Sequence, residues 1–219
     1  MSLVPGFVPK IRERDFVQDW LLLGKGPSFK KRRFFDFKKY LTMGLNHTVC
    51  ECPQMHYVHV ADADVFDGIS DVLTTECKTS LIVPYFPHFN NKPDNYRSID
   101  FLVNDNSYKH SAMLQKLLAE NRLFTYKSSL SSWRCHRKDI GPSVRVRYFS
   151  SVAAVNLLAT CGVRNITLLG IDGGDNYSDE FKHLTPLTNG RKSFDVQFGE
   201  IALTVKKKNI TMRKVTPDD

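Results

Sequence analysis

Short apolar runs that stop abruptly at Gly, Asn or Asp, with helix-forming stretches between them, constrain this chain most. Trp20 to Leu23 (WLLL) stops at Gly24, Leu41 to Leu45 at Asn46, Tyr57 to Ala61 (YVHVA) at Asp62, and Asn165 to Leu169 (NITLL) at Gly170. Runs this short and this continuously apolar are the form of strands buried on both faces, as in a parallel sheet. Further strands are expected at Ser80 to Val83, Leu123 to Tyr126 and Asn209 to Val215, and helices at Phe29 to Lys39, Val65 to Leu73, Ser111 to Asn121, Ser151 to Cys161 and Phe194 to Val205. The Ser151 to Cys161 stretch is small and apolar almost all round, with Gly162 placed to end it, while Phe194, Phe198, Ile201 and Val205 recur at helical spacing. The alternation predicts a single α/β domain, Rossmann-like, with a mostly parallel sheet and helices on both faces.

The expected organisation is an N-terminal arm over residues 1–19, the domain over 20–215 and a tail over 216–219, the whole read as a domain cut from a longer protein. Two stretches fit the alternation less well. Pro84 to Asn106 is rich in Pro, Asn and aromatics, a long irregular connection of the kind that forms a functional lid or stays disordered. Ser128 to Ser143 is a second loop, made basic by Arg134, Arg137 and Lys138 and carrying Trp133 and His136.

Composition narrows the partners. A chain of 219 residues that is 42% hydrophobic can bury a full core. Its 31 Lys and Arg against 23 Asp and Glu give a net charge of +8, which suits an anionic partner: nucleic acid, a phosphorylated small molecule or an anionic membrane surface. No apolar run approaches the roughly 20 residues of a membrane span, and the N-terminus lacks the apolar core of a secretory signal. The expected location is cytoplasmic, with peripheral contact at the inner membrane surface open to the basic flank. Cys50, Cys52, Cys77, Cys135 and Cys161 are scattered and odd in number, and read as reduced thiols. Cys50-Glu51-Cys52 is spaced too closely for a zinc pair, so no metal site is expected there.

Ligands of open α/β sheets bind beyond the carboxyl ends of the strands. After the first strand stands Gly24-Lys25-Gly26-Pro27-Ser28, where two glycines admit a close ligand, Pro27 can start a helix and Ser28 adds a hydroxyl. The spacing is neither GxxxxGK[ST] nor GxGxxG, and an ordinary tight strand-to-helix turn is the other reading. Asn46 and Asp62 follow the next two strands and can hydrogen-bond a ribose or base. Asp62 and Asp64 also have the form of a metal-holding DxD pair, with Asp64 read instead as a helix cap. Ser150 and Ser151 begin the small-residue helix and offer hydroxyls to a phosphate, and Gly170-Ile171-Asp172-Gly173-Gly174 follows a later strand. Beyond Asp172, a polar stretch holds Tyr177, His183 and Arg191. A His placed there can deprotonate an acceptor hydroxyl at neutral pH, or be a solvent-exposed structural residue.

Taken in order, GKGPS, GLNH, VADAD and SSVAAVNLLATCGVRNITLLGID with a downstream His resemble the bacterial CMP-sialic-acid-dependent sialyltransferases and the related motility accessory factor and 6-hydroxymethylpterin diphosphokinase-like proteins. The resemblance runs from about Trp20 to Phe181 and more loosely to Val215. It implies a glycosyltransferase that uses a nucleotide-activated sugar, most closely a CMP-sugar of the sialic-acid type, in an inverting transfer to a glycan hydroxyl. Gly24, Lys25, Gly26, Pro27, Ser28, Asn46, Asp62, Ser150, Ser151, Gly170 and Asp172 would then bind the nucleotide, Tyr177 would support the leaving phosphate and His183 would be the general base. No cofactor or metal is required on this reading. The sialyltransferases carry Asn in place of Lys25 and of Asp62, and their His lies further beyond G-x-D, so the spacing here is closer to the motility-factor branch.

Two alternatives accompany it. An ATP-dependent pyrophosphokinase of the pterin type would need Mg²⁺, with Asp62, Asp64 and Asp172 as candidate ligands. A non-enzymatic nucleic-acid module would use Lys30, Lys31, Arg32, Arg33, Lys38 and Lys39, interleaved with Phe34, Phe35 and Phe37, together with the Trp133 to Lys138 loop. Nucleic acid ranks lowest as a partner, because it gives no reason for glycine-rich turns at strand ends.

Overall fold

The computed structural model describes residues 2–7, 19–90, 92, 93, 96–129, 135, 137–146 and 149–218. Trp133, Arg134 and His136 of the basic loop lie outside the described residues, as does most of the arm. The strands are Trp20–Leu23 (β1), Leu41–Leu45 (β2), Tyr57–His59 (β3), Ser80–Pro84 (β4), His88–Phe89 (β5), Lys92–Pro93 (β6), Leu123–Ser128 (β7), Ser143–Val144 (β8), Asn165–Leu169 (β9) and Thr211–Lys214 (β10). The α-helices are Thr48–Glu51 (α1), Phe66–Asp71 (α2), Ile99–Asn104 (α3), Ser111–Ala119 (α4), Ser150–Thr160 (α5) and Val196–Lys208 (α6).

Among the described residues, eight strands form one sheet in the order β10-β9-β1-β2-β3-β4-β7-β8, and every pairing in it is parallel. Each residue of β1 is fully buried, with Leu21 and Leu23 on one face and Trp20 and Leu22 on the other. The first face packs against α1 to α4 through residues such as Val49, Phe66, Leu102 and Leu114; the second packs against α5 and α6. This is the Rossmann-like α/β arrangement. Chain order runs outward from β1 through β2, β3 and β4, then returns to place β9 on the other side of β1. Such a reversal opens a crevice at the carboxyl ends of the two strands.

Three local expectations are corrected. Phe29 to Lys39 is not an α-helix but two 3₁₀ turns, Pro27–Phe34 and Phe37–Lys39. The chain leaves the first turn at Phe35, in extended backbone, and the Asp36 carboxylate accepts the Lys38 amide at 3.1 Å, starting a new turn. Pro84 to Asn106 is not wholly irregular: it holds the antiparallel β5–β6 hairpin and α3, capped by Ser98 at the Phe101 amide, 3.2 Å. Asp64 caps no helix; its carboxylate accepts the Asn90 amide at 2.6 Å.

Residues 2–7 join the sheet. Phe7 donates to the Thr125 carbonyl at 2.6 Å, Thr125 donates to the Pro5 carbonyl at 3.0 Å, and Val4 is fully buried. The buried Asp100 carboxylate accepts the Val4 amide at 2.7 Å, Arg137 Nη1 at 2.7 Å and the Tyr85 hydroxyl at 3.1 Å. All five cysteines are free thiols. Among the described residues, no helix is long and apolar enough to cross a membrane.

Candidate active site

Backbone contact between two loops builds the floor of the crevice. The Gly24 amide donates to the Leu169 carbonyl at 2.8 Å, and the Gly26 amide to the Gly170 carbonyl at 2.7 Å. A Cβ on Gly24 would stand 2.3 Å from the Gly170 carbonyl oxygen, and one on Gly170 would stand 2.3 Å from the Gly24 oxygen. Gly170 also has φ +70°, which an L side chain rarely adopts. Ser28 ties the loops further. Its amide donates to Asp172 Oδ2 at 2.7 Å, and its hydroxyl accepts the Gly170 amide at 2.8 Å.

The neighbouring strands supply a wall. Asn46 ends β2 in the left-handed region, φ +54°, a conformation that Asn tolerates better than most residues. Its amide donates to the His59 carbonyl at 3.0 Å, and its side-chain nitrogen lies 3.5 Å from the Ser150 hydroxyl. Ser150 and Ser151 open α5, whose first-turn N–H groups have no intrahelical acceptor and carry the positive end of the helix dipole. Phe149 stands at the N-cap, and the Ser151 hydroxyl donates to Gln197 Oε1 on α6. Buried Asn46 Oδ1, His47 Nδ1 and Asp172 Oδ1 have no hydrogen-bond partner among the described residues.

Charge is concentrated on this wall. Burial lowers the Lys25 pKa to about 8, and its Nζ sits 4.1 Å from the centre of the Tyr177 ring, a cation–π contact. Tyr177 stacks on Phe194, and burial raises its hydroxyl pKa. Burial, then the Lys25 charge, then His183 lower the His47 pKa to about 4. Asp62 Oδ1 faces His88 Nδ1 at 3.4 Å. Among the described residues, no cluster of three His, Cys, Asp or Glu side chains is arranged to hold a metal ion.

One cavity of about 990 Å³ gathers Gly24, Lys25, Gly26, Asn46, Asp62, Ser150, Ser151, Gly170, Asp172 and Tyr177 on its wall. Pro27 begins the 3₁₀ turn and Ser28 is fully buried beneath Gly170; neither lines the cavity. His183 is exposed and stands off the wall, near enough for its charge to act on His47. Sequence reasoning missed His88, Asn90 and Gln197, and gave His47 no role, although all four line the cavity. His88 falls in the stretch already singled out as lid-like; nothing local marked Gln197, which is buried in the first turn of α6 against Ser151.

No protein-family model and no curated protein sequence matches the chain. Its fold is similar to that of the MAf glycosyltransferase from Magnetospirillum magneticum AMB-1, with a TM-score of 0.56 and 10% identity, over 99% of this chain but 37% of that one. It is also similar to the sialyltransferase CST-II, solved with a trisaccharide acceptor and CMP. The TM-score is 0.51 and the identity 13%, over 92% of this chain and 82% of that one. The structural likeness thus falls on the same kinds of protein as the strand-end motifs, and at these identities it establishes the α/β fold.

Proposed function

We propose that this chain is a glycosyltransferase that holds a CMP-linked sugar of the sialic-acid type in the switch-point cavity and transfers it, with inversion, to a glycan hydroxyl. The observation that carries the reading is the meeting of Lys25, Asn46 and the Ser150–Ser151 start of α5 on one wall. A single phosphate bridges nucleoside and sugar in such a donor. The Lys25 ammonium and the positive end of α5 supply positive potential where charge grows on that phosphate. The acceptor oxygen bonds to the anomeric carbon from the face opposite the phosphate. The bond from that carbon to the phosphate oxygen breaks, its electron pair leaves with CMP, and a base takes the acceptor proton.

Tyr177, under the Lys25 ammonium, holds the cation at the leaving group, and Asn46, Asp62 and Asp172 supply hydrogen-bonding groups for nucleoside and sugar. CST-II, whose fold is similar, was solved with CMP, which supports the choice of nucleotide. The basic flank from Lys30 to Lys39, with Phe34 exposed, suits peripheral contact with an anionic membrane near the acceptor. The reading requires no resident metal. Thermal unfolding with CMP, UMP and ATP, each with EDTA or Mg²⁺, tests it. Stabilisation by CMP in EDTA is expected, and stabilisation by ATP only with Mg²⁺ would replace it with the pyrophosphokinase.

A further inference from the structure

We infer that His88, oriented by Asp62, takes the proton from the acceptor hydroxyl; the inference rests on the glycosyltransferase reading above. The β5–β6 hairpin is clamped over the end of β3. His88 donates its amide to the Ala61 carbonyl at 2.9 Å, and Asn90 donates to Asp64 at 2.6 Å. Phe89, between them, sits under the Arg97 guanidinium at 3.7 Å and packs edge-on against Tyr108. The clamp brings His88 Nδ1 to 3.4 Å from Asp62 Oδ1, with both side chains on the cavity wall and only 16% and 21% exposed. A carboxylate at one ring nitrogen leaves the other to accept a proton and stabilises the imidazolium that results. His88 Nε2 has no partner among the described residues.

The other histidines fit the task less well. His47 is on the wall, but the Lys25 charge and burial oppose its protonation. His59 is fully buried, its Nε2 2.8 Å from the Tyr126 hydroxyl. His56 faces Thr42 and His110 faces Asp67, both away from the cavity wall, and His183 is exposed. His136 lies outside the described residues.

Spacing agrees. Lys25 follows β1, Asn46 follows β2 and Asp62 follows β3, so the phosphate-binding cation and the base stand two strands apart, about 10 Å at the usual strand separation. That separation admits one sugar ring between leaving phosphate and incoming hydroxyl. The acceptor O–H proton passes to Nε2 as the oxygen bonds to the anomeric carbon and CMP departs with the electron pair. The titratable and charged groups around His88 are Asp62 and Asp64 after β3, His59 within β3, Tyr126 on β7 behind His59, and Lys92 and Arg97 from the hairpin side.

The test measures CMP release from CMP-sialic acid, with water as acceptor, across pH in the unsubstituted chain and in His88→Ala, His88→Gln, Asp62→Asn and His183→Ala, together with the thermal shift given by CMP. Both His88 variants should lose about 100-fold or more in turnover, lose the acidic limb of the pH profile and keep the CMP shift. Asp62→Asn should keep part of the rate, lowering kcat more than it raises KM, since the imidazole stays in place but loses the carboxylate that orients it. His88→Gln keeps side-chain bulk, so it separates loss of the base from loss of fold. Turnover within a few-fold of the unsubstituted chain in His88→Gln, or a loss that falls on His183→Ala instead, overturns the inference while leaving the transferase reading intact. An unsubstituted chain that releases no CMP overturns the donor reading and this inference with it.

Discussion

The hydroxyl of Ser28 accepts the Gly170 amide at 2.8 Å, joining two turns 142 residues apart in the chain. Because Ser28 also donates its own amide to Asp172, one residue fixes the distance between the loops that floor the cavity.

Ser28→Ala leaves the Gly170 amide buried without an acceptor. The expected loss is about 2 kcal/mol, read as a fall in Tm of about 4–8 °C for a chain of this size. If Ser28 served mainly to touch a phosphate, Tm would stay put and only nucleotide affinity would change.

On the proposed CMP-sugar reading, Lys25 should make nucleotide affinity depend on alkaline pH. Its pKa is lowered to about 8 in the fold, against an ordinary value of 10.5. The unfolded chain therefore binds the extra proton between about pH 8 and 10.5, and stability contributed at this position rises with pH across that window. Affinity for CMP should move the opposite way, weakening as the ammonium is lost above about pH 8. Calorimetry in buffers of different ionisation enthalpy should show proton uptake on CMP binding near pH 8. Lys25→Met should stabilise the free protein at pH 7 and weaken CMP binding at least tenfold.

Acid should destabilise the fold well above the carboxylate range. His47 and His59 both have pKa values lowered to about 4, by burial first in each case, and burial lowers that of His56 as well. The unfolded chain takes up these protons from about pH 6.5 downward, while in the native chain His47 and His59 resist until about pH 4. Stability is therefore complete above about pH 6.5 and falls between the two values. A Tm that stayed flat from pH 7 to 4.5, or histidine resonances of these residues titrating near 6.5, would contradict this.

Asp100→Ala should release the N-terminal segment. The change strips partners from the Val4 amide, Arg137 and the Tyr85 hydroxyl at once, and removing one member of a buried charged network costs about 3–5 kcal/mol. Limited proteolysis should then cut near residues 2–7 faster than in the unsubstituted protein.

The sheet was legible because burial on both faces writes itself into sequence as an uninterrupted apolar run: WLLL and NITLL admit little else. The strand-end glycines, asparagines and aspartates were legible for a related reason, since chain reversal and ligand approach both select those residue types at those places. Ser28 shows where such reasoning stops. A serine after a glycine turn reads the same whether its hydroxyl faces a ligand or a backbone amide 142 residues away. His88 was hidden because its placement depends on the hairpin folding back over β3, which only the pairing of Asp62 with His88 reveals. The 3₁₀ turns over Pro27–Phe34 escaped for want of any local mark that separates them from one basic α-helix.

The position of β9 beside β1 has a consequence for biosynthesis. Until residue 169 has left the ribosome, β1 presents on that side an open edge of unpaired backbone groups flanked by apolar side chains. An exposed edge of this kind invites pairing with other nascent chains. Translation arrested before β9 should therefore leave a sticky intermediate that a chaperone must shield.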